Sequence, residues 1–320
     1  MRRNLIRACG CLLSALALNA AAQSFPSKPL RIVVGFTPGT TIDITARALG
    51  QKLTERLGQQ VVVDNREGAN GGIANSIVAN AAPDGHTLLV ASLNVIVNPL
   101  LYKEVPFDPK ALAPVSLVIL TQNLIAVNVK VPAQSVGDLI ALVKSQPGKL
   151  QYGSSGRGSS SFLTMELFKM MAGVEIAEIP YKSTAQAITD LISGEIPIYP
   201  PSLVGALPYV KSGKIRALAV TGAKRSAIAP EIPTVAETVP GYDAATGIYG
   251  LMVPAKTPAG IVNTLHAATV AAVQNADFRQ RMLAQGADLV GSTPKEYAEF
   301  LRASEEKWKL LFGKIGIGLQ

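Results

Sequence analysis

Apolar residues recur along this chain at two alternating periods. Leu30 to Phe36 is a β-type run interrupted only by Arg31, and it stops at Thr37-Pro38-Gly39. Ile42, Ala46, Leu49, Leu53 and Leu57 then return at three- and four-residue spacing, one face of a helix that Thr40 or Thr41 can cap and Gly58 ends. Val61-Val62-Val63 predicts a buried strand, 64–72 a glycine-bearing connection, and about 73–81 a helix. Thr87 to Ala91 predicts a third strand after the turn Pro83-Asp84-Gly85. This βαβαβ order predicts parallel sheet with helices on both faces.

Pro106, Pro109 and Pro114 mark a change of composition, and the apolar stretch Val115 to Val129 predicts a strand passing from one domain to another. From Ser135 the alternation resumes, with helices over about 135–145, 159–172, 183–193 and 203–212 and strands at 150–153, 175–179, 196–199 and 215–221. Residues 222–246 are loop-rich, and 247–253 is another apolar strand. The tail is helical over 258–275, 277–285 and 294–312, with Ser292 or Thr293 as cap and Pro294 at the first helical position. The expected fold class is α/β and two-lobed, each lobe a mostly parallel sheet flanked by helices.

Three glycine- or proline-bearing turns follow strands and precede helices, at 37–41, 66–72 and 153–161. Ligands of open α/β sheets bind at such turns, outside the carboxyl ends of the strands. The stretch from Tyr152 to Ser161 is the most suggestive, a glycine- and serine-rich turn that ends where a helix starts. Unpartnered backbone N–H groups and the helix dipole favour an anion there, serine hydroxyls add donors, and Arg157 adds a fork suited to a carboxylate. The alternative is a flexible turn whose serines only cap the helix.

Composition changes the picture at the amino end. Arg2, Arg3 and Arg7 precede an apolar run from Leu12 to Leu18, and Ala20-Ala21-Ala22 fits a small-x-small cleavage site before Gln23. Residues 1–22 are read as a signal peptide cleaved near Ala22, which implies an exported, soluble chain. Both cysteines, Cys9 and Cys11, fall inside it, so no disulfide is expected afterwards. Removing the three leader arginines takes the formal charge from +8 to +5. That excess is scattered and carries no nucleic-acid motif, so nucleic acid is not an expected partner. A hydrophobic content of 48% with 16% charged residues excludes a disordered chain.

Catalytic chemistry finds no support. The two histidines, His86 and His266, sit in a turn and on a helix face, with no cluster that could ligate zinc. Gly153-Ser154-Ser155-Gly156 misses the spacing of a nucleophile elbow. The run from Gly156 lacks the third glycine of a dinucleotide fingerprint and the lysine of a phosphate loop. Asp43 and Asp190 are lone carboxylates near helices, better read as caps or dipole partners than as paired acids.

The chain resembles the Bug-type solute receptors of tripartite tricarboxylate transporters over essentially its whole length after the leader. Phe25-Pro26-Ser27-Lys28-Pro29 with Leu30 to Val34, then Pro38-Gly39 and Asp43, carry the likeness. So do Val63-Asp64-Asn65-Arg66, Gly68-Ala69-Asn70-Gly71-Gly72, Pro83 to Leu89, Pro180-Tyr181-Lys182 with Asp190, and Lys214 to Thr221. The resemblance implies a periplasmic Venus-flytrap monomer with no cofactor and no metal. It would close on a small organic carboxylate, a dicarboxylate or aromatic acid, and deliver it to inner-membrane transporter subunits. A periplasmic sensor presenting its closed form to a membrane signalling protein is the alternative. Lobe 1 would be 23–125 plus 247–320, and lobe 2 would be 126–246. Carried over residue by residue, the likeness points to Thr37, Gly39, Thr40 and Asp43 in one jaw and to Ser154, Ser155, Gly158, Ser159 and Ser160 in the other, with Tyr181 and Asp190 in a further motif. Asp43 fits a loop organiser better than a carboxylate ligand, because like charges in a dry cleft repel. Two departures from the family pattern, Arg157 and Phe162, suggest a second carboxylate on the ligand, with Phe162 or Tyr249 as an apolar wall.

Overall fold

The computed structural model describes residues 25–244 and 246–317. The expected leader lies outside the described residues. In chain order the elements are β1 (Leu30–Val34), α1 (Thr41–Leu57), β2 (Val61–Asn65), α2 (Gly72–Ala79), β3 (Thr87–Ala91), α3 (Asn94–Leu101) and β4 (Leu112–Thr121). There follow β5 (Leu124–Asn128), α4 (Val136–Ser145), β6 (Gln151–Ser154), α5 (Ser160–Ala172), β7 (Ala177–Pro180), α6 (Thr184–Ser193), β8 (Ile198–Tyr199), α7 (Leu203–Lys211) and β9 (Ile215–Val220). The chain closes with β10 (Gly247–Pro254), α8 (Ala259–Gln274), α9 (Ala276–Ala284), β11 (Ala287–Leu289) and α10 (Pro294–Lys314).

Two sheets result, with strand orders β11-β4-β10-β3-β1-β2 and β7-β6-β8-β5-β9. The expected βαβαβ unit is present, with β1 parallel to both β2 and β3. The sheets are mixed rather than mostly parallel. In the first, β10 returns from the second sheet and runs antiparallel to both β3 and β4. In the second, the crossing strand β5 runs antiparallel to β8 and β9, while β6 is parallel to β7 and β8. A strand that enters a lobe and a strand that leaves it cannot share one direction with a crossover-built half-sheet.

The long strand expected over 115–129 is two strands, because Gln122 and Asn123 pass between the sheets and pair with neither as regular strand. Helix α3 is not legible as such, since Asn94-Val95-Ile96-Val97-Asn98-Pro99 is β-branched and carries a proline. At the helix ends the chemistry is as read: Gly58 adopts a left-handed φ of 69° after α1, and Thr293 forms a capping box with Glu296 ahead of α10.

Apolar burial ties the two sheets together. Leu30, Ile32, Leu49, Leu53, Leu265 and Phe278 form a core between the first sheet and α1, α8 and α9. Leu124, Leu191, Tyr199 and Leu203 form another between the second sheet and α6 and α7. A third, continuous cluster runs through both lobes, joining Val33, Leu89 and Leu101 to Tyr152, Phe162 and Phe168, with Trp308 and Phe312 of α10 between them.

Candidate functional site

The glycine-serine turn begins where β6 ends. Ser154 is fully buried; its Oγ donates to Glu178 Oε1 and accepts the Gly156 N–H at 2.9 Å. Gly156 and Gly158 hold φ of 91° and 79°, left-handed backbone that reverses the chain at little steric cost only for glycine. Ser159 then caps α5, accepting the Phe162 N–H at 3.2 Å. Ser161 Oγ accepts the Ser155 N–H at 2.9 Å and lies 3.0 Å from Ser159 Oγ. Among the described residues the N–H groups of Ser160 and Ser161, in the first turn of α5, form no hydrogen bond. Ser155 Oγ lies 3.4 Å from Thr184 Oγ1 and 3.5 Å from Tyr199 Oη, two hydroxyls that no motif in the chain singles out. Apart from the Glu178 carboxylate that takes the Ser154 hydroxyl, this end of the lobe is an array of neutral donors at a helix N-terminus, suited to a small anion.

The opposing turn is built on Asp43. Its carboxylate accepts the Gly39 N–H at 2.9 Å, Asn65 Nδ2 at 2.9 Å and Arg47 Nε at 3.0 Å. Thr40 Oγ1 bonds the Thr37 carbonyl instead of capping α1. Asp43 is 2% exposed with its oxygens engaged by protein, which is the geometry of a loop organiser. Burial raises its pKa, but the hydrogen bonds from Arg47, Gly39 and Asn65 outweigh burial and hold the carboxyl below its ordinary value. Because the folded-state pKa lies below the unfolded value of about 3.9, the stability Asp43 contributes is present above that value and lost as pH falls through the folded-state pKa. Asp43→Asn is therefore expected to destabilise the protein at pH 7, and the gap to the parent should close toward pH 3 in urea titrations. A gap unchanged between pH 7 and pH 3 would refute a role for the charge.

The two jaws meet at α3. A Cβ on Gly158 would lie 2.9 Å from Leu101 Cδ1 and 3.3 Å from Asn70 Nδ2, so the turn of one lobe sits directly against the other. Tyr102 Oη donates to the Arg157 carbonyl at 3.4 Å across the same gap. Asn70 belongs to a left-handed turn in which Ala69 and Asn70 hold φ of 47° and 50°, conformations that cost a non-glycine residue roughly 1–3 kcal/mol each. Two asparagines of α3 brace it: Asn94 Nδ2 donates to the Asn70 carbonyl at 2.9 Å, and Asn98 Nδ2 does so at 3.1 Å while its Oδ1 accepts Asn70 Nδ2 at 3.0 Å.

The remaining expected residues are placed unevenly. Arg157 is half-buried and its guanidinium makes no hydrogen bond or ion pair among the described residues. Phe162 is 2% exposed and belongs to the shared core, which leaves it little surface to offer as the apolar wall expected of it. Tyr249 is half-buried on β10, packed with Phe36 against the core of the first sheet. Tyr181 packs near Gly153, and burial followed by the nearby Asp190 carboxylate pushes its hydroxyl up to about 12. His86 is remote in role, accepting the Ser27 N–H through Nε2 and packing edge-on to Phe25 at 5.1 Å.

Two concavities lie away from the meeting of the turns. One, of about 250 Å³, is lined by Asn128, Lys130, Leu142 and Gly194. The other, of about 400 Å³, lies between the carboxyl ends of α5 and α10. Neither includes a residue of the turn at 154–161, whose Ser160 and Ser161 N–H groups are free of partners among the described residues. Among the described residues no group of three or more His, Cys, Asp or Glu side chains is placed to hold a metal, and no helix is long and apolar enough to cross a membrane.

Known proteins match the chain over most of its length. Residues 45–317 match the model of the tripartite tricarboxylate transporter family receptor. BugT of Bordetella pertussis is 33% identical over 310 residues, covering 95% of this chain and 94% of BugT. The structure of Rpa4515 from R. palustris with adipate superposes with a TM-score of 0.81 at 35% identity, covering 92% of this chain and all of that one. MatC from Rhodopseudomonas palustris with bound malate gives 0.75 at 28% identity, with 90% and 99% covered.

Proposed function

This chain belongs to the tripartite tricarboxylate transporter receptor family, and from that premise we propose that it captures a small organic diacid between its lobes in the periplasm and hands it to inner-membrane transporter subunits. The observation that carries the diacid reading is the half-buried, unpartnered Arg157 guanidinium in a turn whose other groups are neutral donors. One carboxylate would be held by the N–H groups and hydroxyls of Ser159 and Ser160 against the Thr37–Thr40 turn, and Arg157 would meet the second. Adipate and malate, present in the two solved relatives, are both dicarboxylates. We take the lobes as 23–125 with 247–320 and 126–246 between them; the division into two sheets supports this reading, with β5 (Leu124–Asn128) in the second sheet drawing the first crossing back to Gln122 and Asn123.

Thermal-shift screening of the purified protein against mono- and dicarboxylates tests this reading, since a specific ligand at 100 times its Kd stabilises by about 2.7 kcal/mol. A shift from a neutral sugar or a cation, with none from any carboxylate, would remove it. Arg157→Ala isolates the second carboxylate. Loss of a charged hydrogen bond, about 1.5–3 kcal/mol, is expected to weaken diacid binding by at least tenfold and leave the matching monoacid little changed. Diacid and monoacid affinities both unchanged in titration calorimetry would make Arg157 a bystander.

A further inference from the structure

Thr164 does something that no other threonine past the first residue of a helix does among the described residues. Thr45, Thr54, Thr189, Thr264 and Thr269 each turn their hydroxyl back onto the carbonyl four residues earlier in their own helix, at 2.7–3.0 Å. Thr164, fully buried among Leu163, Met165 and Phe168, instead points its hydroxyl out of α5. It accepts Asn123 Nδ2 at 3.2 Å and lies 3.5 Å from Thr246 Oγ1. Its carbonyl accepts Tyr242 Oη at 3.0 Å.

Those partners stand on the two places where the chain passes between the sheets. Asn123 links β4 to β5, and Thr246 immediately precedes β10. The crossings are also tied to each other through Thr221. It exchanges bonds with Asn123, Asn123 N–H to Thr221 Oγ1 and Thr221 N–H to the Asn123 carbonyl, both at 3.0 Å, and it accepts the Ala244 N–H at 3.0 Å. Asn123 Nδ2 reaches one step further, to Ser160 Oγ at 3.3 Å, in the turn that faces the other lobe.

We infer that Thr164 is a positioning residue that locks the first turn of α5 to both chain crossings, so that occupancy of the Ser159–Ser160 turn and the angle between the lobes are one equilibrium. Rotation at the crossings moves Asn123 and Thr246 relative to α5 and strands buried hydrogen-bonding groups away from water, which favours the lobe angle in which these bonds are made. Closure needs only a few residues that absorb the rotation, and a ligand shifts it by bonding better to one state than the other. Thr164 touches no ligand in this scheme.

The inference rests on the diacid-receptor reading for its ligand arm but not for its ligand-free arm. Thr164→Val keeps the shape and removes the hydroxyl, and Thr164→Ser restores it. Small-angle scattering of the ligand-free proteins is expected to show a larger radius of gyration for the valine variant than for the parent, with serine returning it. With adipate as probe, calorimetry is expected to show binding about tenfold weaker for valine and near the parent for serine. A role in packing alone would lower the melting temperature of the valine variant and leave its scattering and adipate affinity at parental values, and that outcome overturns the inference. If the parent binds no carboxylate, the receptor reading fails while the ligand-free scattering still decides. Should Thr164→Val not fold, Thr246→Val removes the second crossing's hydroxyl and is read in the same way.

Discussion

Replacing Trp308 with alanine is expected to lower the unfolding free energy by about 3–5 kcal/mol, the cost of emptying a large aromatic site in a packed core. Trp308 is the single tryptophan of the chain and is fully buried. Its ring lies 6.5 Å from that of Phe312, with Lys307 Nζ 5.0 Å from its centroid. Lys307 in turn donates to the carbonyls of Asp243 and Ala244 at 3.1 and 3.4 Å, so the helix is pinned to the returning segment on one side of the ring. The cluster around Trp308 draws on Leu101 from one lobe and Phe168 from the other, so the cavity weakens both. Trp308 Nε1 has no hydrogen-bond partner among the described residues, a liability that phenylalanine would discard along with some bulk. Trp308→Phe should therefore cost markedly less than Trp308→Ala in urea unfolding. An alanine variant within about 1 kcal/mol of the parent would show that the cluster collapses into the space freely.

Gly158→Val should weaken ligand binding by at least tenfold, about 1.4 kcal/mol, and lower the unfolding free energy by a similar amount. Valine at a φ of 79° is a steric outlier, which strains the turn by roughly 1–2 kcal/mol. Its Cβ, at 2.9 Å from Leu101 Cδ1 and 3.3 Å from Asn70 Nδ2, would also wedge the lobes apart. Asn70 has little room to yield, because Asn98 holds its side chain and both Asn94 and Asn98 hold its carbonyl. The backbone N–H groups of the turn remain in place, so the loss would come from closure and not from missing donors. Calorimetry paired with urea unfolding separates the two effects, and binding at parental affinity would mean the turns need not touch when the ligand is held.

Much of this architecture is legible in the chain because periodicity and punctuation agree with each other. The alternation of Ile42, Ala46, Leu49 and Leu53 with a closing Gly58, and the Thr293-Pro294 start of the last helix, encode elements locally. The serine cap and glycine reversals at 156–159 likewise announce a turn into a helix. The illegible part is long-range. Helix α3 is built from β-branched residues and a proline, and it is helical because its asparagines fasten the 69–70 turn and its Val97 and Leu101 meet Gly158. Phe162 reads as a ligand wall because a sequence displays the residue after a turn but not the lobe that lies beneath it. Thr164 and Asn123 carry no motif at all, since a hydroxyl that bonds across 41 positions looks in sequence like any helical threonine.

The place of β10 in the first sheet sets an order on the assembly of the molecule. This strand fills the gap between β3 and β4, yet more than 120 residues of the second lobe separate it from β4 along the chain. Strands β1 to β4 therefore emerge with a slot at the centre of their sheet and no edge-to-edge partner across it. The intervening segment carries all five strands of its own sheet in one unbroken stretch and can pair them before the slot is filled. Loop closure over that distance is entropically slow, so the amino-terminal part stays loose until the returning strand arrives. A chain threaded through a narrow conduit would pass in just such a state, its first lobe completed last.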